Sequence, residues 1–155
     1  MSDHLKRENL LRQLLEDNFV LAKQSRRIRD IITDPSLKKY FQNLSSRHNQ
    51  FAIELREEIN FYGGQVPYIP PPAFERNWKE LSAGSIKKLL KKSYKLHKKA
   101  MRDYRTALSQ INDGSCREIF IRHKARFENM LFELKSLKTL LSFRKENWRR
   151  QEQET

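Results

Sequence analysis

The 155 residues are enough for one domain, and 32 Lys and Arg against 19 Asp and Glu give a formal net charge of +13. The single cysteine, Cys116, excludes an internal disulfide and suits a reducing compartment. No apolar stretch approaches the roughly 18 residues of a membrane span, and the first residues lack a signal-peptide core. We therefore expect a soluble, cytoplasmic protein without a membrane span.

The first half of the chain predicts two antiparallel helices. Apolar residues recur at steps of three and four over about residues 4–32 and again over about residues 35–62. Between them, Asp34 can cap the second helix, and Pro35 suits its first position, where a missing backbone donor costs nothing. So short a turn makes the two helices antiparallel neighbours.

A glycine- and proline-rich segment from Gly63 to Pro72 then interrupts the helical pattern. It holds four of the five prolines, so no helix can run through it. The segment Phe74–Leu81 predicts a short helix. About twenty linking residues can extend to about 66 Å, whereas the second helix is about 42 Å long. We therefore predict a long crossover over residues 63–84 that makes helices 2 and 3 parallel. An up-down-up-down bundle is the alternative.

The second half predicts two more helices, over about residues 85–112 and 115–148, separated by the turn cluster Asn112–Ser115. No alternating Val/Ile/Thr run predicts a strand. The fold class is accordingly all-α, a four-helix bundle with ferritin-like connectivity. We place it in one domain, residues 1–148, followed by a polar tail of residues 149–155.

Polar residues interrupt the apolar stripes near the middle of the predicted bundle. His48 lies about thirteen residues into helix 2 and His97 about twelve into helix 3, so parallel helices would bring them to one level, with Asn18 close by. His123 falls about 10 Å away along the axis. The favoured interpretation is a set of core histidines hydrogen-bonded to Asn18 and Ser93.

A metal centre is the alternative interpretation of this level. Ferritin-like di-metal centres use a Glu from each of two helices and Glu-x-x-His from the other two. Here Ser45 and Phe120 stand three residues before His48 and His123, and Glu16 and Glu54 reach only the edge of the core stripe. We therefore expect no metal and no cofactor, and His48 and His97 are the candidate ligands if a metal binds.

No residue set predicts catalysis. Cys116 lies near the start of helix 4, where a thiol pKa can fall, but His123 is two turns away and out of hydrogen-bond reach. No phosphate-binding glycine loop, zinc-finger spacing or nucleophile elbow occurs. We assign no catalytic residue and favour a protein that is not an enzyme.

One face of helix 3 carries a row of basic residues that we call the basic stripe. Like charges at i,i+4 repel by a few tenths of a kcal/mol per pair, which invites a functional explanation such as a polyanion ligand. The alternative is that a basic protein simply places its lysines on an outer face. The candidate polyanion-binding residues are Lys87, Lys91, Lys95, Lys98, Arg102 and Arg105.

Three segments resemble an uncharacterised bacterial ferritin-like family, the PA-type domain of unknown function. They are Arg47–Ile59 followed by Gly63-Gly64, Arg76–Leu81 in an Arg-x-Trp-x-x-Leu pattern, and Ala100–Leu108 in an Ala-x-x-x-Tyr-x-x-Ala-Leu pattern. The resemblance covers roughly residues 8–140 and implies a ferritin-like four-helix bundle. It also marks a departure, because Tyr94–His97 stands where the family tends to show Glu-x-x-Glu.

Three functions follow from the sequence. The first is a non-catalytic bundle that acts as an interaction or structural protein without a di-iron site. The second is nucleic-acid or polyanion binding through the basic stripe. The third is a metal-binding ferritin-like protein with an atypical His48/His97 site. A homodimer is a further expectation, because Phe19, Phe61 and Phe143 are aromatic residues outside the predicted core.

Overall fold

The computed structural model describes residues 2–65, 86–112 and 114–154, and the side chains of residues 5–65, 86–112 and 114–141. Within these ranges the chain forms four helices and no strand. They are α1 (Ser2–Ile31), α2 (Pro35–Phe61), α3 (Ile86–Gln110) and α4 (Gly114–Glu154). None of the described helices is long and apolar enough to cross a membrane.

The turn between α1 and α2 has the predicted capping chemistry. Asp34 is the N-cap of α2, and its Oδ1 accepts a hydrogen bond of 3.0 Å from the backbone N of Ser36, with Pro35 at the start of the helix. This bond satisfies one of the donors left free at a helix start. Farther along, Ser45 Oγ donates to the carbonyl of Ala22, so α1 and α2 run antiparallel.

The direction of the helices follows from contacts between them. Glu58 of α2 lies beside Ser115, and Glu54 lies beside His123, so α2 and α4 are antiparallel. Arg117 of α4 reaches the carbonyl of Leu108, and His123 reaches Tyr104, so α3 and α4 are antiparallel as well. It follows that α2 and α3 are parallel, which confirms the crossover connectivity.

Two predicted features lie outside the described part of the chain, because residues 66–85 are not described. These are most of the crossover segment and the short helix over Phe74–Leu81. At the other end, α4 continues to Glu154 and so runs through residues 149–154, which the sequence placed in a tail beyond the helix. Arg, Gln and Glu dominate this stretch, and they are good helix formers, so polarity alone did not end the helix.

The four helices enclose one hydrophobic core. Its most completely buried side chains come from every helix, with the aromatic residues concentrated on α2, α3 and α4. Apolar burial of this kind is the main favourable term in folding. The largest are Leu11, Leu14, Leu15, Leu21, Ile28, Ile32, Phe41, Leu55, Ile59, Tyr104, Phe120 and Phe127.

Candidate functional site

A layer of polar side chains crosses the middle of this core. We call Asn18, His48, His97, Tyr104 and His123 the polar layer; each of the five is fully buried. The four helices all contribute, because these residues sit on the core-facing stripe of α1, α2, α3, α3 and α4. The layer confirms that His48, His97 and Asn18 share one level.

Hydrogen bonds fix the orientation of the Asn18 amide. Its Nδ2 donates to the carbonyl of Leu14 at 2.9 Å and to the hydroxyl of Tyr104 at 2.8 Å. Its Oδ1 therefore faces His48 Nδ1, at 2.9 Å, and must accept a hydrogen from that nitrogen. The predicted bonds of the histidines to Asn18 and Ser93 are confirmed, since His97 Nδ1 also donates to the carbonyl of Ser93 at 2.7 Å.

From Asn18 the bonds continue to the rim of the bundle in a single direction. Because the Tyr104 oxygen accepts from Asn18, its hydroxyl hydrogen is free to donate to His123 Nδ1 at 2.7 Å. His123 Nε2 then donates to Glu54 Oε2 at 3.0 Å, and Glu54 also pairs with Arg122. Each member donates toward Glu54, so every bond from His48 to the rim is satisfied.

The contact between His48 and His97, at the inner end of the layer, lacks a hydrogen. With hydrogen on both Nδ1 atoms, neutral His48 and His97 each keep a lone pair on Nε2, and the two Nε2 atoms lie 2.9 Å apart. In its neutral form the layer is therefore one hydrogen short at this junction. Burial opposes an added charge: it lowers the pKa of His97 to about 4 and that of His48 well below its usual value.

At the rim of the layer, the pKa values of His123 and Glu54 favour a neutral imidazole beside an ionised carboxylate. Burial lowers the pKa of His123 to about 4, against the opposing effect of Glu54. Although partial burial raises the pKa of Glu54, His123 and Arg122 together hold it below its usual value. A neutral imidazole that donates to a carboxylate is consistent with both directions. The sequence placed His123 farther along the axis and missed Tyr104 as the residue that joins it to Asn18.

Cys116 does not have the environment of a nucleophile. Its thiol is buried, and Sγ donates to Glu58 Oε2 at 3.3 Å. Burial raises the pKa of Cys116 to about 12, and Glu58 adds to the rise. The thiolate is the reactive form of cysteine, so this side chain is held in its unreactive form.

A second polar cluster joins α1 to α3 beside the layer. The side chain of Asp17 is 5% exposed, and its Oδ1 accepts a hydrogen bond of 2.6 Å from Lys99 Nζ. Lys99 Nζ also forms a salt bridge of 3.0 Å with Asp103. The buried Oδ2 of Asp17 has no hydrogen-bond donor within the described ranges. Burial raises the pKa of Asp17 to about 7; Asp103 adds to the rise and Lys99 opposes it. The sequence did not predict this cluster.

Replacing Asp17 by Asn should stabilise the protein more as the pH rises. A folded-state pKa above the unfolded value gives stability that is complete below about pH 4 and is lost as the pH rises through 7. Since Asn cannot ionise, the free-energy difference between variant and parent should shift in favour of the variant by about 3 kcal/mol between pH 5 and pH 8. Urea unfolding at both pH values measures it. An equal difference at the two pH values would mean that Asp17 ionises normally in the folded protein.

The basic stripe lies on the outer surface of α3. All six of its side chains are exposed, and none forms a salt bridge with another residue of the described ranges. Over its whole length α3 carries seven lysines and two arginines against one aspartate, a net charge of +8. More than half of the chain's net charge is therefore concentrated on one helix.

The aromatic residues predicted for self-association differ in exposure. Phe61 is 75% exposed, whereas Phe19 is half-buried under Lys23. The side chain of Phe143 lies outside the described side chains. The homodimer stays a prediction.

Comparison with known proteins agrees with this geometry. No protein-family model matches the chain, and no curated protein sequence matches it. Among solved structures, "ferritin like, diiron-carboxylate proteins" from Bacillus anthracis str. Ames is similar, with a TM-score of 0.75 and 17% identity over 89% of this chain and 99% of that chain. This chain is a ferritin-like four-helix bundle. At such low identity the likeness concerns the fold alone, and membership of the PA-type family stays a prediction.

The polar layer of this ferritin-like bundle does not fit a di-iron centre. Such a centre takes a Glu from two helices and Glu-x-x-His from the other two. The polar layer here holds Asn18, His48, His97, Tyr104 and His123, with Ser45 three residues before His48, and the carboxylate that contacts the layer, Glu54, already pairs with His123 and Arg122. Several carboxylates are needed to offset the charge of two iron ions, and one cannot do so.

A single metal ion between His48 and His97 also meets obstacles. Zinc bonded to both Nε2 atoms at 2.0–2.1 Å with tetrahedral angles would hold these atoms about 3.4 Å apart, and the observed separation is 2.9 Å. Among the described residues, no group of three or more His, Cys, Asp or Glu side chains is placed to hold a metal ion. The assignment of His48 and His97 as metal ligands gains no support from this arrangement.

Proposed function

We propose that this ferritin-like bundle is a non-catalytic interaction protein that binds a polyanion, nucleic acid being the class, through its basic stripe. The observation that carries the proposal is the concentration of uncompensated positive charge on α3: six exposed cations in a row, on a helix of net charge +8. Repulsion along the row costs stability in the free protein, and an anionic polymer would remove that cost.

The geometry of the stripe suits a polymer better than a small anion. From Lys87 to Arg105 the row extends along about 27 Å of helix. Nucleic acids place one charge on each phosphate along the strand, so they can contact several of these cations at once. Small anions would meet one or two of them.

The interior of the bundle supports a non-catalytic role. Hydrogen bonds join the polar layer from His48 to Glu54, this carboxylate is already paired, and the thiol of Cys116 is held protonated. Under this proposal, these groups stabilise the packing of the four helices, and the function lies on the surface of α3.

The proposal predicts that binding depends strongly on the salt concentration and on the lysines of the basic stripe. If about six cations contact phosphates, log Kd should change with log salt concentration with a slope of about 4 to 5. Replacing Lys91, Lys95 and Lys98 by Glu should weaken binding by at least about tenfold at low salt, because three attractive contacts become repulsive. Fluorescence anisotropy with a labelled oligonucleotide measures both.

A matched control separates the stripe from net charge alone. Lys38, Lys39 and Arg56 are exposed on α2, and their replacement by Glu changes the net charge by the same amount. This control should retain most of the affinity. Equal losses in the two triple variants would contradict a role for the stripe, and an affinity weaker than about 10 µM at low salt would contradict nucleic-acid binding itself.

A further inference from the structure

A groove beside the basic stripe separates α3 from α4. Its floor is formed by the buried side chains of Leu90 and Leu134, and the half-buried ring of Tyr94 lines it. Lys91, Lys135 and Lys138 also line the groove, which has a cavity volume of about 150 Å³. The groove therefore combines an apolar, aromatic interior with several positive charges.

The charges around the groove continue along α3. Lys91 belongs both to the groove and to the basic stripe, and the stripe runs on from it to Arg105, about 21 Å farther along the helix. Lys98 connects the two features, because its Nζ lies 5.9 Å from the centre of the Tyr94 ring. A ligand that fills the groove and also uses the stripe must carry one flat apolar group and a series of negative charges.

Single-stranded nucleic acid has this combination. Its unpaired bases present flat faces that stack on aromatic side chains, while its phosphates follow a positively charged surface. In a duplex the bases are already stacked on one another, so a bundle face can contact the phosphates alone. A fatty acid would fill the apolar interior but offers one charge, which leaves the stripe unused.

We propose that the groove accepts one base of a single-stranded nucleic acid against the Tyr94 ring, with the flanking phosphates on the basic stripe. This inference rests on the proposed polyanion function and makes it specific. Tyr94 supplies stacking, and Lys91 and Lys98 supply the contacts to the phosphates on either side of the stacked base.

The experiment compares a labelled oligothymidylate of about 16 nucleotides with a duplex of equal phosphate number. The parent protein should bind the single strand more tightly. Tyr94→Ala should weaken single-strand binding by about 5- to 150-fold, the range expected for loss of one stacked base, and leave duplex binding within about twofold. Tyr94→Phe keeps the ring and should retain single-strand binding.

Tyr40→Ala is the matched control for the loss of a half-buried tyrosine, because Tyr40 lies on α2 against the ring of Phe41 and is not one of the described residues that line the groove. Circular dichroism should show the same helix content in all variants, and single-strand binding by Tyr40→Ala should equal that of the parent.

The outcomes separate this inference from the function on which it rests. If the stripe variant loses binding but Tyr94→Ala binds single strands normally, the groove assignment is wrong and the polyanion function stands. If Tyr94→Ala weakens both probes equally, the ring acts through folding and the assignment is again wrong. If neither probe binds the parent protein, both proposals fail. A fluorescent fatty acid that binds the groove while the oligothymidylate does not would also overturn the inference.

Discussion

Replacing Asn18 by Leu should destabilise the fold by about 3 kcal/mol. The reason is that a side chain of similar size leaves the His48 Nδ1 hydrogen without an acceptor and the Tyr104 oxygen without a donor, in a layer with no access to water. Buried polar groups without partners cost about 1–3 kcal/mol each. Against a total stability of about 5–15 kcal/mol, such a loss is large and easily measured by urea unfolding.

The effect should be specific to the polar layer. Asn43 is an exposed asparagine on α2, and Asn43→Leu should change stability by no more than about 0.5 kcal/mol. Tyr104→Phe tests the same network from its other side. Because Asn18 and Tyr104 share a hydrogen bond, the double variant should lose less stability than the sum of the two single variants. Additive losses would show that the two residues do not act as a unit.

Acid should lower the free energy of unfolding by a large amount, because three buried histidines are neutral in the folded protein. Unfolded histidines take up protons near pH 6.5, whereas the folded pKa values of His97 and His123 are about 4. Their contribution is therefore complete above about pH 6.5 and is lost as the pH falls toward 4. Between pH 7 and pH 5 each should cost about 2 kcal/mol, so the pair should cost about 4 kcal/mol, and His48 adds in the same direction.

Asp17 acts in the opposite direction over the same range, because its folded pKa of about 7 makes acid stabilising. The measurement is therefore urea unfolding of the Asp17→Asn protein at pH 5, 6 and 7. Adding His97→Gln or His123→Gln should each remove about a third of the pH dependence, because His48 contributes as well. An unchanged slope would exclude these histidines, and a nitrogen-15 spectrum showing a protonated His48/His97 pair at pH 7 would contradict their neutral assignment.

The fold could be predicted because its causes are local. Apolar spacing of three and four residues specifies each helix, Asp34 and Pro35 specify the first turn, and the Gly/Pro segment with the residues after it is long enough for the return path that makes α2 and α3 parallel. The depth of His48 and His97 within their helices then places them together, as observed at 2.9 Å. Counting residues from helix ends was sufficient for these two.

Other parts of the site depend on side-chain reach, which spacing does not give. Helical spacing places Tyr104 among the apolar residues of α3, yet its hydroxyl extends far enough to join Asn18 to His123 across two helices. Asp17 lies beside the stripe and is buried only because α3 covers it, with Lys99 from that helix as its partner. The groove likewise depends on how α4 packs next to Tyr94, and no single helix reveals it.

The position of the lysines within α3 has an electrical consequence. Five of them, Lys87, Lys88, Lys91, Lys92 and Lys95, lie in the first ten residues of a helix that begins at Ile86. The peptide dipoles of a helix sum to about half a positive charge at that same end, where lysine is ordinarily disfavoured. The two effects have the same sign, so the positive potential that α3 itself contributes is greatest near its start. An approaching anion is drawn first to the end that holds Leu90 and Tyr94.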